Sequence, residues 1–259
     1  MQRREFIARS TLLGVATAMG LRAAGQAAEE KSDEKWGDLV GRLVYDGAPP
    51  ERAKLKVDKD VECCGKFDIR DESLMVGPDG GLANAFIYVR TPKVEICPEL
   101  AEKAEKQVLL DNRDCIFKPH CTTIWCEKQE FCIVNSDPVA QNVAFSPLGD
   151  TPANIVLAVD GKATHKFSRK QSVPVPIACN YHPWESGYVL PRDNPYAAVT
   201  QADGTFRIGR LPVARSNSRR GRSGSAFSTP RNGPRGDSRC RSSRARTTWA
   251  RSRSPPRSW

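Results

Sequence analysis

An antiparallel β-sandwich is the fold class this sequence predicts, and three observations carry the prediction. Ten short apolar or alternating runs recur between residues 39 and 208, with the length and the period of half-buried strands. Gly, Pro, Asn and Asp separate them, residues that break strands through their own backbone preferences. A helical pattern is credible in one place, 98–107, where Leu100, Ala101 and Ala104 sit among Glu and Lys as on a short surface helix.

The elements follow in chain order. Residues 1–28 read as a twin-arginine signal peptide: Gln2-Arg3-Arg4-Glu5-Phe6-Ile7, an apolar run from Thr11 to Leu21, then Ala23, Ala24, Ala27 and Ala28. That order predicts export to the periplasm or an equivalent compartment. No other stretch approaches the roughly 18 apolar residues needed to span a bilayer, so no transmembrane segment is expected. An N-terminal β-region over 36–106 holds runs at Leu39 to Tyr45 and Ala85 to Val89, with Pro78-Asp79-Gly80-Gly81 as a turn and the short helix as an insertion. A core over 107–212 holds Val108 to Leu110, Phe131 to Val134, Asn142 to Phe145, Ile155 to Val159, Val173 to Ala178, Gly187 to Leu190, Ala197 to Thr200 and Thr205 to Ile208. Ala202-Asp203-Gly204 marks its last turn, because Gly accepts φ > 0. His165, among Lys162, Lys166, Arg169 and Lys170, reads as part of a solvated edge strand.

The formal charge of +10 at pH 7 would suggest nucleic acid as a partner if it were spread over the chain. It is not. Residues 213–259 carry 13 Arg, no Lys and a single acid, Asp237, whereas 29–212 carry 23 basic against 28 acidic residues. The body is mildly acidic and no specific nucleic-acid binding is expected. Of the last 47 residues 24 are Arg or Ser, too few of the rest apolar to offset ordering entropy, so a disordered basic tail is predicted. Its composition has two readings: a tail that contacts anionic surfaces, or out-of-frame translation of GC-rich DNA.

The chemistry concentrates at Cys179-Asn180-Tyr181-His182-Pro183-Trp184-Glu185. A thiolate and an imidazole three residues apart on one tight loop can face a single ion, and the Glu185 carboxylate is a third donor on that loop. Soft sulfur with imidazole points first to copper; an added hard oxygen suits Zn²⁺ or Cu(II) as well, and a loop that binds nothing is the remaining alternative. Five donors, Cys115, His120, Cys121, Cys126 and Cys132, fall within 18 residues but lack the paired C-x₂-C spacing of zinc knuckles. In an exported protein disulfides are the expected use of these and of Cys63, Cys64 and Cys97, with connectivity left open and the adjacent Cys63 and Cys64 each pairing elsewhere. His120 reads as a packed or surface imidazole, although it or His165 could reach the loop. Neither a Ser-His-Asp pattern nor a phosphate loop is present, and with three His in the chain an enzyme is not expected.

The loop resembles the C-x-x-H-P-x-M segment of small cupredoxins such as amicyanin, with Glu185 where the family has Met. Asn135-Ser136-Asp137-Pro138-Val139-Ala140-Gln141-Asn142 resembles the family's N-S-D-P-x-x-H-N, with Gln141 in place of the first His ligand. Two further segments carry the likeness. Leu110 to His120 is similar to L-D-N-x-x-C-x-F-x-P-H, and Asp193 to Ile208 is similar to D-H-P-Y-x-A-V-T followed by D-G-x-F-x-I. Together they resemble exported cupredoxin-domain proteins of the methylamine-utilisation-like kind from planctomycete-type bacteria, with a degenerate ligand set. The resemblance implies a cupredoxin-like Greek-key β-sandwich with a short β-extension, and a family role in periplasmic electron transfer through one copper ion to a redox protein. In this chain that site is altered or lost, and the rival reading is a metal-free binding module. By the resemblance, Cys179, His182, Glu185 and Gln141 would be the metal residues, His182 the exposed exit for electrons, and Asn142 a residue fixing the loop. A last strand expected after Leu211-Pro212 gives way to the basic tail.

Overall fold

The computed structural model describes residues 35–213 and 246–252, the latter in backbone only. The expectations for the signal region, and for most of the tail, lie outside those residues. Strands dominate: β1 (Trp36–Val44), β2 (Phe86–Tyr88), β3 (Gln107–Arg113), β4 (Ile116–Lys118), β5 (Cys121–Trp125), β6 (Glu130–Asn135) and β7 (Gln141–Phe145) in the first part of the chain. They are followed by β8 (Ala153–Leu157), β9 (Lys162–His165), β10 (Val175–Ala178), β11 (Ser186–Arg192), β12 (Ala197–Val199), β13 (Thr205–Pro212) and β14 (Arg246–Ser252). Two short helices interrupt them, α1 (Val61–Cys64) and α2 (Pro98–Glu102).

A five-stranded sheet in the order β5-β11-β10-β7-β8 and a four-stranded sheet in the order β4-β3-β6-β9 form the sandwich. Most pairs are antiparallel, but β3 pairs with β6 and β5 with β11 in parallel. Side chains from both sheets meet in one apolar core, among them Leu110, Phe131, Ile133, Val143, Ile177 and Val189, each nearly or fully buried. Phe131, Phe145 and Phe167 form its aromatic centre, with ring centroids 5.4–6.1 Å apart. This is the cupredoxin-like β-sandwich expected from the sequence.

The extension packs beside it on a second core of Leu43, Leu82, Ala85, Ile87, Tyr196, Phe206 and Ile208. Here β2 pairs with β12 and β1 lies between β13 and β14. Tyr196 knits this extension together: it is fully buried, its hydroxyl accepts the Cys97 N–H at 3.0 Å, and its carbonyl accepts the Val89 N–H at 3.0 Å. Both turns read from the sequence need their glycine, with φ of +74° at Gly80 and +80° at Gly204. A Cβ at Gly204 would lie 2.1 Å from the Leu43 carbonyl oxygen.

The structure differs from the sequence reading at four places. The helix read over 98–107 stops at Glu102, because Lys106 and Gln107 are drawn into the ladder with β6, where the Glu130 N–H bonds the Lys106 carbonyl at 2.9 Å. Strands β4 and β5 escape the pattern because they flank the Pro119-His120 corner within the cysteine-rich stretch. Residues 246–252, inside the tail predicted to lack order, run antiparallel to β1 and cover the edge that β13 leaves open. His165 is on an edge strand as expected, yet its ring packs on Phe145 and Phe167 at 4.8 and 4.7 Å rather than standing in solvent.

Candidate metal centre

The centre is built where β7, β10 and β11 lie side by side. Because β10 pairs with both neighbours, its last residue, Ala178, is opposite Ala144 of β7 and Ser186 of β11. The chain between β10 and β11, residues 179–185, must therefore turn back directly over the start of β7. Its backbone closes on itself: Cys179 N–H to Glu185 O at 3.2 Å, Glu185 N–H to His182 O at 2.9 Å, and His182 N–H to the Cys179 sulfur at 3.3 Å. From β7, Asn142 Oδ1 accepts the Asn180 N–H at 2.9 Å while its amide bonds the Ile155 carbonyl at 3.2 Å. Asn142 thus bonds the loop to its neighbouring strands.

Four donor atoms converge beneath this loop. Cys179 Sγ lies 3.7 Å from His182 Nδ1 and 3.7 Å from Gln141 Oε1. His182 Nδ1 lies 2.8 Å from Gln141 Oε1 and 3.2 Å from Glu185 Oε1. Metal bonds of about 2.0–2.3 Å in a tetrahedron put neighbouring ligand atoms roughly 3.3–3.7 Å apart, so the cluster needs only small outward shifts to hold an ion. All four side chains are at most 4% exposed. Asp137, buried beside them, accepts the Gln141 amide at 2.9 Å and the Cys115 N–H at 3.1 Å. A carboxylate can only accept, so the Gln141 nitrogen faces Asp137 and its oxygen faces the cluster.

The donor set fits a cation better than it fits an empty core. Both carboxylate oxygens of Glu185 are buried without a well-formed hydrogen bond, with His182 Nδ1 in polar contact 3.2 Å from Oε1. A buried unsatisfied carboxylate is costly, and a cation would supply its missing partner. Burial pushes the Glu185 carboxyl up, against the lowering influence of His182. At His182 burial opposes the charged ring, but close polar contacts with Cys179, Glu185 and Asp60 outweigh it and push the imidazole up to about 10. A bound ion would take the place of the Nδ1 proton, with thiolate, imidazole and carboxylate as ligands.

The expectation for His182 is overturned. His182 is not an exposed exit: its side chain is fully buried, and Nε2 donates to Asp60 Oδ2 at 2.8 Å. Asp60 precedes α1, in the segment between β1 and β2 that lies over the loop. Trp184 packs against the His182 ring at 5.1 Å and donates its indole N–H to the Cys115 carbonyl at 3.0 Å. A disulfide from Cys64 to Cys115 bolts the segment down.

The other candidates stay apart. His120 is nearly buried against Glu72, 3.3 Å away, and Tyr188, a packed imidazole as expected. Neither His120 nor His165 joins the cluster. Among the described residues, Cys63, Cys64 and Cys115 form the other potential ligand group, and the bridge occupies two of its sulfurs. Cys63 is free, against the expectation that both adjacent cysteines pair, and Cys97, Cys121, Cys126 and Cys132 are free and buried. No helix among the described residues is long and apolar enough to cross a membrane. Sequence reasoning missed Asp60 and assigned Asp137 no role; the N-S-D-P segment displayed the second, and nothing local marked the first.

No family model matches the sequence, and no curated protein does. Solved structures with which the chain shows limited similarity include copper proteins. A reduced amicyanin variant has a TM-score of 0.29 at 16% identity, covering 36% of this chain and 88% of that one. The novel purple cupredoxin of Nitrosopumilus maritimus has 0.27 at 18%, covering 34% and 100%. The copper-containing nitrite reductase of Thermus scotoductus has 0.29 at 14%, and this chain spans only 22% of its length while matching over 33% of its own.

Proposed function

We propose that this is an exported cupredoxin-like protein that binds one metal ion through Cys179, His182 and Glu185, with Gln141 as a weak fourth donor, and that the copper relay implied by the resemblance is altered here. The observation that carries the reading is the buried Glu185 carboxylate, without a well-formed hydrogen bond and in contact at 3.2 Å with an imidazole that also faces a thiol. An ionised carboxylate in place of a thioether favours Cu(II) over Cu(I), and one sulfur, one nitrogen and two oxygens suit Zn²⁺ or Cu(II). When bound, the ion supplies positive charge that neutralises Cys179 and Glu185. The residues themselves hold it, exclude water and keep the loop fixed through Asn142. Fast electron exchange with a periplasmic redox partner is disfavoured by the burial of His182, and no catalytic step is proposed.

A second reading has its own support. The His182 ring bonds Gln141 and Asp60 simultaneously, so an imidazolium can fill the centre without metal, leaving a periplasmic β-sandwich that presents loops to a partner. Metal analysis of the full chain after equilibration with Zn²⁺ or Cu²⁺ and removal of loose ions separates the two. The first reading expects close to one equivalent, lost in Cys179→Ala. Wild-type protein that retains none, or a variant that retains as much, rejects it.

A further inference from the structure

The group that closes the centre comes from neither the loop nor the sandwich. Asp60 stands at the N-cap of α1, where an aspartate ordinarily accepts a backbone N–H of the first turn with its side chain. It makes no such bond. Its backbone carbonyl accepts the Cys63 and Cys64 N–H groups at 2.9 and 2.8 Å, as an N-cap carbonyl ordinarily does, and its φ of +43° is one that side-chain-bearing residues adopt sparingly. The carboxylate, which does not cap the helix, reaches His182 Nε2 at 2.8 Å. Two anchors hold it there: the Cys64–Cys115 bridge, and an apolar cluster that joins Cys64 and Ile69 of the covering segment to Cys115 and Trp184. Asp60 itself is half-exposed, so it is the link between a sealed imidazole and the surface.

Imidazoles that ligate a metal through one nitrogen commonly donate the other N–H to a carboxylate, which fixes the ring and raises its basicity. Resting on the metal-binding reading above, we propose that Asp60 is a positioning residue for the centre. It holds His182 with Nδ1 aimed at Cys179, Gln141 and Glu185, and the α1 segment is a stapled cap that slows exchange of the ion with solvent. The role belongs to a chain segment separated from His182 by 122 residues.

The test uses the full chain, with Asp60→Ala and Asp60→Asn, and Zn²⁺ as the probe. Removing such a partner weakens metal binding by about 10- to 100-fold. Competition against a chelator should show that loss in Asp60→Ala, with faster Zn²⁺ release, and a smaller loss in Asp60→Asn, whose amide oxygen can still accept the Nε2–H. In nitrogen-15 NMR the His182 Nε2–H should be a downfield, exchange-protected signal in the wild type, should persist in Asp60→Asn and should vanish in Asp60→Ala. Affinity and release in Asp60→Ala within twofold of wild type would overturn the proposal. If the wild type binds no Zn²⁺, the metal-binding reading fails on its own; the ring signal then decides whether Asp60 holds the imidazole, and its absence from the wild type overturns that too.

Discussion

Cutting the staple under the cap has an effect whose size follows from the chain. The Cys64–Cys115 bridge closes a separation of 51 residues, and both cysteines are fully buried. On the chain-entropy account, a loop of that length restrains the unfolded state by about 4 kcal/mol at 25 °C. For a folded region of this size each kcal/mol corresponds to about 2–4 °C, so the midpoint should fall by roughly 8–16 °C. The perturbation is Cys64→Ala with Cys115→Ala, which removes both thiols together. Urea unfolding in the presence of a chelator, so that metal does not add its own stabilisation, gives the free energy directly. Reduction of the wild type should reproduce most of the change, because the other described cysteines are already free. A loss below about 1 kcal/mol would refute the reasoning: the covering segment would then be held by its apolar contacts alone, or the bridge would not form.

Two other outcomes follow from the core. Phe131 is fully buried between Phe145 and Phe167, so Phe131→Ala should cost about 3–5 kcal/mol in the same unfolding assay. Burial lowers the His165 imidazole below its ordinary 6.5, with Asp150 acting weakly the other way, and its Nε2 is buried without a hydrogen bond. The unfolded chain therefore takes up a proton there before the folded chain does, and stability falls as pH drops below about 6.5. His165→Phe should flatten that slope in unfolding curves between pH 7 and 5; an unchanged slope would show that His165 is not its source.

How much of this was legible depends on how local each feature is. The strand runs carry their own signal, and the turns at Gly80 and Gly204 are marked by residues that tolerate φ > 0. Cys179, His182 and Glu185 share one seven-residue loop, and Gln141 starts the strand on which that loop folds, so a short-range pattern and a family resemblance suffice to bring them together. Strands β4 and β5 were hidden because their cysteines and the intervening Pro119-His120 read as a ligand or disulfide cluster. What covers the centre could not be read at all. The Asp60 contact depends on how the segment between β1 and β2 folds over the sandwich and on which of eight other cysteines Cys64 selects, and neither is encoded in any window of the sequence. For the same reason the exposure of His182 implied by the resemblance fails, and the ring is sealed in the folded chain.

The central claim, a mixed sulfur, nitrogen and oxygen site at the loop, is tested most directly by zinc-edge X-ray absorption on the full chain loaded with one equivalent of Zn²⁺. The account predicts one sulfur at about 2.3 Å with the remaining ligands nitrogen or oxygen at about 2.0–2.2 Å. A shell with no sulfur, or with three or four, would place the ion elsewhere, on surface carboxylates or among the other cysteines, and would contradict it.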